Sequence, residues 1–187
     1  MKLVLDIFFF FVIMYFCYQF VQVVFHVKQG VTFPYTKEEL NGLRKHPTKP
    51  LNPPTMAGQK VGIYIYGGLL IFCILIYLLG IYYQISELTF YLMLILIFTY
   101  ADFGINIFAI HQKGIISGVR FVPWKMIRSF QFVPIDTNHR FYGYSKEANE
   151  GYELIIKTKL INLRCIVTDE KLKEELEILL EENLKVS

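Results

Sequence analysis

The chain is poor in the residues from which disulfide frameworks, metal knuckles and catalytic sites are built. It holds three cysteines, one tryptophan and seven prolines in 187 residues, and only 19% of it is charged. Cys17, Cys73 and Cys165 are not spaced as a CxxC or a zinc pair, so they read as free thiols acting as small hydrophobes. Ser86, Ser117, Ser129, Ser145 and Ser187 lie in no G-x-S-x-G elbow, and no H-E-x-x-H, Walker loop or G-x-G-x-x-G occurs. His26, His46, His111 and His139 have no ligand spacing. A net charge of +3 without a basic stripe argues against a nucleic-acid surface.

What fills the chain instead is apolar: 54% hydrophobic and 17% aromatic, with the excess concentrated before residue 112. Soluble domains run at about 45–50% apolar and about 25% charged. Leu3–Val27, Val61–Tyr83 and Leu88–Ile110 each reach the roughly 20 residues needed to cross a bilayer. The pattern predicts a first transmembrane helix in residues 1–28, a loop over 29–60 and a transmembrane hairpin over 61–111. No short apolar core with a small-residue cleavage site is present, so the first span reads as an uncleaved anchor.

Residues 28–60 carry Lys28, Lys37, Arg44, Lys45, Lys49 and Lys60 against Glu38 and Glu39. The positive-inside bias places them, and everything after His111, in the cytoplasm, with the N-terminus outside. Thr36 with Glu39 forms a capping box for a short amphipathic helix ending before Pro47. Gly58 and Gly62 have the spacing of close helix packing, used within the hairpin or in a homodimer. Tyr15, Tyr18, Tyr82, Tyr83 and Trp124 are placed at the interfaces.

Two polar stripes interrupt the spans. Gln19, Gln22 and His26 share one face of the first, and Thr99, Asp102 and Asn106 share one face of the third, at matching depths. They are expected to face each other. Hydrogen-bond glue between helices is one use; a proton or ion relay through Asp102 and His26 is the other, and three unrepeated spans favour glue.

Residues 112–187 carry 12 Lys and Arg against 11 Asp and Glu, the balance of a soluble module. Ile115–Ile116, Val119–Val122, Ile127–Val133, Arg140–Tyr144, Tyr152–Lys157 and Leu160–Val167 are β-rich runs, read as about five strands in an antiparallel meander. Thr168 is read as the N-cap of a terminal helix whose Leu172, Leu176, Leu179 and Leu180 form the stripe that covers the sheet. Lys113, Arg120, Lys125 and Arg128 lie just past the third span, where each cation attracts anionic lipid by about 1 kcal/mol.

Gly114-Ile115, Gly118 and the segment Val122-Pro123-Trp124-Lys125-Met126-Ile127 resemble the entry of the bacterial pleckstrin-homology-like membrane proteins, a glycine followed by hydrophobic-Pro-x-x-x-Ile. The resemblance covers about two-thirds of the chain. It implies a small PH-like β domain with a C-terminal helix hung beneath a membrane hairpin, in a bacterial cytoplasmic membrane, with Gly114, Gly118, Pro123, Trp124 and Ile127 as its carrying positions. A full domain of that type has about seven strands, more than residues 112–187 accommodate, and the first span lies outside the simple pattern.

The expectation is therefore a membrane α + β protein: three transmembrane helices, then a small antiparallel β domain with a C-terminal α-helix. It is multi-pass and non-enzymatic, and it binds or scaffolds, with a link to envelope stress implied by the resemblance. Its partners are the lipid bilayer and either a protein or a second copy of itself. No nucleic acid, small-molecule substrate, cofactor or metal is expected. Two alternatives stand beside it: a bacteriocin or toxin immunity protein acting through its spans, and a small oligomeric transporter or channel.

Overall fold

The computed structural model describes residues 2–85, 87, 90–93, 104–159 and 161–186. Two long helices dominate the N-terminal half, α1 (Lys2–Gln29) and α3 (Lys60–Tyr82). At about 1.5 Å per residue both exceed the roughly 30 Å of a hydrocarbon core. Only 17% of the most apolar stretch of α1 and 28% of that of α3 are buried. Phe8, Phe11, Val21, Ile71 and Leu75 lie open instead, which water does not favour for helices of this composition.

The helices run antiparallel. Tyr77 Oη donates to the Asp6 carbonyl at 2.7 Å at one end, and Phe20 packs on Tyr66 with ring centroids 5.1 Å apart towards the other. Tyr91 adds a hydrogen bond to the Asp6 carboxylate. Lys28 and Lys60 consequently lie at the same end, where the chain leaves α1 and enters α3. A Cβ on Gly62 would sit 2.3 Å from the Gly104 carbonyl oxygen, so this glycine serves a close approach within the chain.

Where three spans are expected, two helices among the described residues are long and apolar enough to cross a membrane. Residues 90–93 are helical, but 105–107 are irregular and Phe108–His111 is a strand, β2, so no helix runs through to Ile110. Thr99 and Asp102 lie outside the described residues. The reason for the difference is a sheet buried on both faces. β2 pairs with β3 (Gly114–Ser117), and β3 with β4 (Arg120–Pro123). Ile107, Ala109 and Ile116 of this sheet pack with α1 and α3, while Phe108, Ile110, Ile115 and Val122 enter the core of the β domain. A strand with two apolar surroundings has no polar alternation and reads like a span.

The second sheet has the order β1-β7-β6-β5, all antiparallel, with β5 at Ile127–Pro134, β6 at Tyr152–Thr158 and β7 at Asn162–Val167. Strand β1 is Leu43–Arg44, taken from the loop between α1 and α3 and paired with Val167 and Ile166. It follows α2 (Lys37–Gly42), whose capping box between Thr36 and Glu39 is formed in full. The same loop sends Phe33, Leu43 and Leu51 into the domain core. Strands beyond the expected five thus come from residues 43–44 and 108–111.

Arg140–Tyr144, read as a strand, forms turns, preceded and held by an ion cluster. Glu153 is 2% exposed and takes His139 at 3.0 Å, Arg140 at 2.6 Å and Arg164 at 3.0 Å. Burial pushes its carboxyl up, but the hydrogen bonds from Arg164, Arg140 and His139 outweigh that and hold it below the usual carboxylate value. The segment closes on the one-turn helix α4 (Lys146–Asn149), capped by Ser145.

Helix α5 (Glu170–Val186) lays Leu172, Leu176 and Leu180 onto the core, all buried, and leaves Glu174, Glu175, Glu177, Glu181 and Glu182 outside. Thr168 is not its cap: its hydroxyl donates to the Gly42 carbonyl at 3.1 Å, tying the start of α5 to α2.

Because Leu43 is fully buried in the cluster that also holds Cys165, and the Arg44 carbonyl meets the Cys165 thiol, the loop strand is part of the domain's core. Leu43→Ala is expected to cost about 2–5 kcal/mol. It should also expose Cys165, whose thiol burial pushes up to about 12, to alkylation. Thermal unfolding in detergent and site-resolved alkylation check both; an unchanged melting temperature with Cys165 still protected would contradict this placement.

Candidate functional site

The polar face of α1 meets the β domain, not a third helix. Gln19 Oε1 accepts from the Phe121 backbone N–H at 3.3 Å, and Gln19 Nε2 donates to Tyr15 Oη at 3.4 Å. His26 stacks on the Phe121 ring, centroids 3.7 Å apart at 10°, and meets His111 edge to face at 4.8 Å. Its Nδ1 lies 2.7 Å from the Gln22 carbonyl one turn back, so Gln22 acts here through its backbone. His26 and His111 are both buried. Nothing in their separation of 85 residues announces this pairing; only the fold that returns β2 to the end of α1 creates it.

Asn106 does not join that stripe. Its Nδ2 donates to the Pro50 carbonyl at 2.6 Å, and its own carbonyl accepts from Asn52 N–H at 3.1 Å and Gln59 Nε2 at 3.3 Å. Gln59 Nε2 also reaches the Asn52 and Pro53 carbonyls, each at 3.2 Å. A proline-rich strap, whose prolines donate nothing, is thereby fastened by two side-chain amides. The expected meeting of Gln19, Gln22 and His26 with Asn106 is replaced by two separate contacts, because residue 106 precedes a strand and not the end of a helix.

The four basic residues spread over the three-stranded sheet and its exit. Lys113 is exposed in the β2–β3 turn, Arg120 is half-buried at the start of β4, Lys125 is exposed in the single turn of 3-10 helix at Trp124–Met126, and Arg128 is exposed on β5. The motif glycines and aromatics have structural tasks. A Cβ on Gly114 would meet the Val122 carbonyl oxygen at 2.2 Å across the β3–β4 pair, and Gly118 turns between those strands at φ +60°. Trp124, expected at a membrane interface, is 6% exposed in the domain core, where its Nε1–H donates to the Gln112 carbonyl at 3.1 Å. Pro123 leads into that turn, and Ile127 begins β5 in the same core.

A cleft of about 1010 Å³ opens beside this junction. Its walls are the end of α1 from Val27 to Gly30, the following segment through Tyr35, residues 53–56 ahead of α3, and His111 to Lys113. Lys28, His111 and Lys113 line it, with no acidic residue. Burial holds the His111 imidazole below the usual histidine value, and the neighbouring His26 and Lys113 act in the same sense. The Lys113 N–H donates to His111 Nδ1 at 3.1 Å, so the neutral ring carries its proton on Nε2. Among the described residues, no group of three or more His, Cys, Asp or Glu is arranged to hold a metal ion.

No family model, curated protein or solved structure matches this chain.

A histidine with a lowered native value contributes stability above its unfolded value near 6.5 and loses it as pH falls from there through the native value. Thermal stability is therefore expected to fall from pH 7.5 to pH 5.5, and the fall to shrink in His111→Gln. An equal pH dependence in both proteins would remove His111 from the account.

Proposed function

We propose that this is a non-enzymatic integral membrane protein that holds a PH-like β module in a fixed pose at the cytoplasmic face of a bacterial membrane, where it binds or scaffolds a protein partner. The observation that carries the reading is the packed junction: α1 lies directly on β4 through Gln19, His26 and Phe121, and the loop between the helices supplies β1 to the second sheet. A flexible tether would need neither contact. Two apolar helices whose sides are mostly open support the membrane placement. Seven strands in two sheets among the described residues, with a helix across the core, support the PH-like assignment.

Orientation rests on charge. The loop between α1 and α3 and the β domain lie at one end of the helix pair, and that end gathers Lys28, Lys37, Lys45, Lys49 and Lys60. A reporter fused after Ser187 is expected to be active only on the cytoplasmic side.

The site of action is tested on the full chain in native membranes by photo-crosslinking from Arg128 and Lys157, both exposed on the second sheet, against Phe11 and Phe72, exposed on the helices. A discrete protein adduct from the sheet positions and none from the helices is expected. Adducts from the helix positions alone would transfer the function to the spans, as for an immunity protein that intercepts a membrane-active peptide.

A further inference from the structure

We propose that the cleft at the end of α1 is a binding site for the headgroup of an anionic phospholipid, with Lys28 and Lys113 as the phosphate-binding pair. The inference deepens the membrane reading above and rests on its placement of α1 and α3 in the bilayer.

Charge selects the class of occupant. Two lysines, one from the last turn of α1 and one from the β2–β3 turn, line the cleft with His111 and with no Asp or Glu to neutralise them. Both lysine side chains are exposed, so neither is committed to the fold. Position selects the source. The cleft lies where α1 ends at Gln29 and a few residues before α3 begins at Lys60, the level at which a bilayer presents its phosphates. Its lining is also apolar, with Val27, Val31, Pro34, Leu40 and Met56, which suits a glycerol backbone and the first acyl carbons better than a free anion. Tyr35, 84% exposed at the rim, is the kind of ring that prefers such an interface.

The walls are built before any ligand arrives. Thr32 N–H and Phe33 N–H both donate to the Ile110 carbonyl, at 2.8 and 3.2 Å, and Ile110 N–H returns to Phe33 at 2.8 Å. On the opposite wall Gly58 N–H donates to Thr55 Oγ1 at 3.1 Å and Gln59 N–H to the Thr55 carbonyl at 3.0 Å. The volume lies at the upper end of the roughly 300–1,000 Å³ usual for ligand pockets.

The test uses the full chain purified in mixed micelles containing equal phosphatidylglycerol and phosphatidylcholine, with retained lipid read by native mass spectrometry. Wild type should prefer phosphatidylglycerol by roughly 25-fold, about five-fold for each lysine. Lys28→Gln with Lys113→Gln should abolish the preference, Lys28→Arg with Lys113→Arg should keep it, and Lys157→Gln with Lys159→Gln, outside the cleft, should leave it intact. Equal retention of both lipids by wild type, or an undiminished preference in the glutamine pair, would overturn the proposal. Displacement of the lipid by equimolar glycerol phosphate would reassign the cleft to a soluble phosphate ester and overturn the lipid assignment. Alkaline extraction of native membranes separates the two levels: a chain that stays in the membrane yet lacks lipid preference loses only this site, whereas one that washes off loses the membrane reading itself.

Discussion

The fold depends on a seam between the apolar helix pair and the β domain, and the seam is made by Gln19, His26 and Phe121. β4 is the outer strand of the three-stranded sheet, and an edge strand turned towards apolar helices would leave its N–H groups without partners. An orphaned buried donor costs about 1–3 kcal/mol. Gln19 removes that cost at Phe121, and His26 covers the Phe121 ring face to face. Gln19 thus answers the backbone of β4 and His26 its Phe121 ring, both from the side of α1 where β4 lies.

The same seam explains which elements were legible beforehand. The alternation of Leu163 and Cys165 with Asn162 and Arg164, the leucine stripe of α5 and the Thr36–Glu39 box all depend on near neighbours in sequence, and each stands where the pattern put it. Periodicity fails at 104–111 because Ile107 and Ala109 are buried against the helices while Phe108 and Ile110 are buried against the second sheet. Continuous apolarity records burial, and the surroundings that bury a residue are set by the fold. Arg140–Tyr144 fails for another reason. Its aromatics and Arg140 suit a strand, but Glu153 of β6 holds the adjacent His139 and Arg140 together with Arg164 of β7, and the segment turns instead of pairing.

Other features had no local signal. Leu43 and Leu51 sit among charged residues and prolines, so nothing nearby marks them as core, yet both are buried in it. The pairing of His26 with His111 and the convergence of Lys28 with Lys113 are products of chain return, legible only once β2 is known to run back to the end of α1.

The strap of residues 50–59 then fixes what the protein offers to others. Prolines at 50, 53 and 54 donate no hydrogen bonds, and Asn106 and Gln59 supply donors to the Pro50 and Pro53 carbonyls. Because Asn106 lies two residues before β2 and Gln59 directly precedes α3, the strap locks the start of the sheet to the start of the helix. Hinge motion would have to break several of these bonds together, at about 0.5–1.5 kcal/mol each. The module accordingly keeps one face of its first sheet against the helices. It leaves the open side of its second sheet and the glutamate-rich outer side of α5 facing away from the helices.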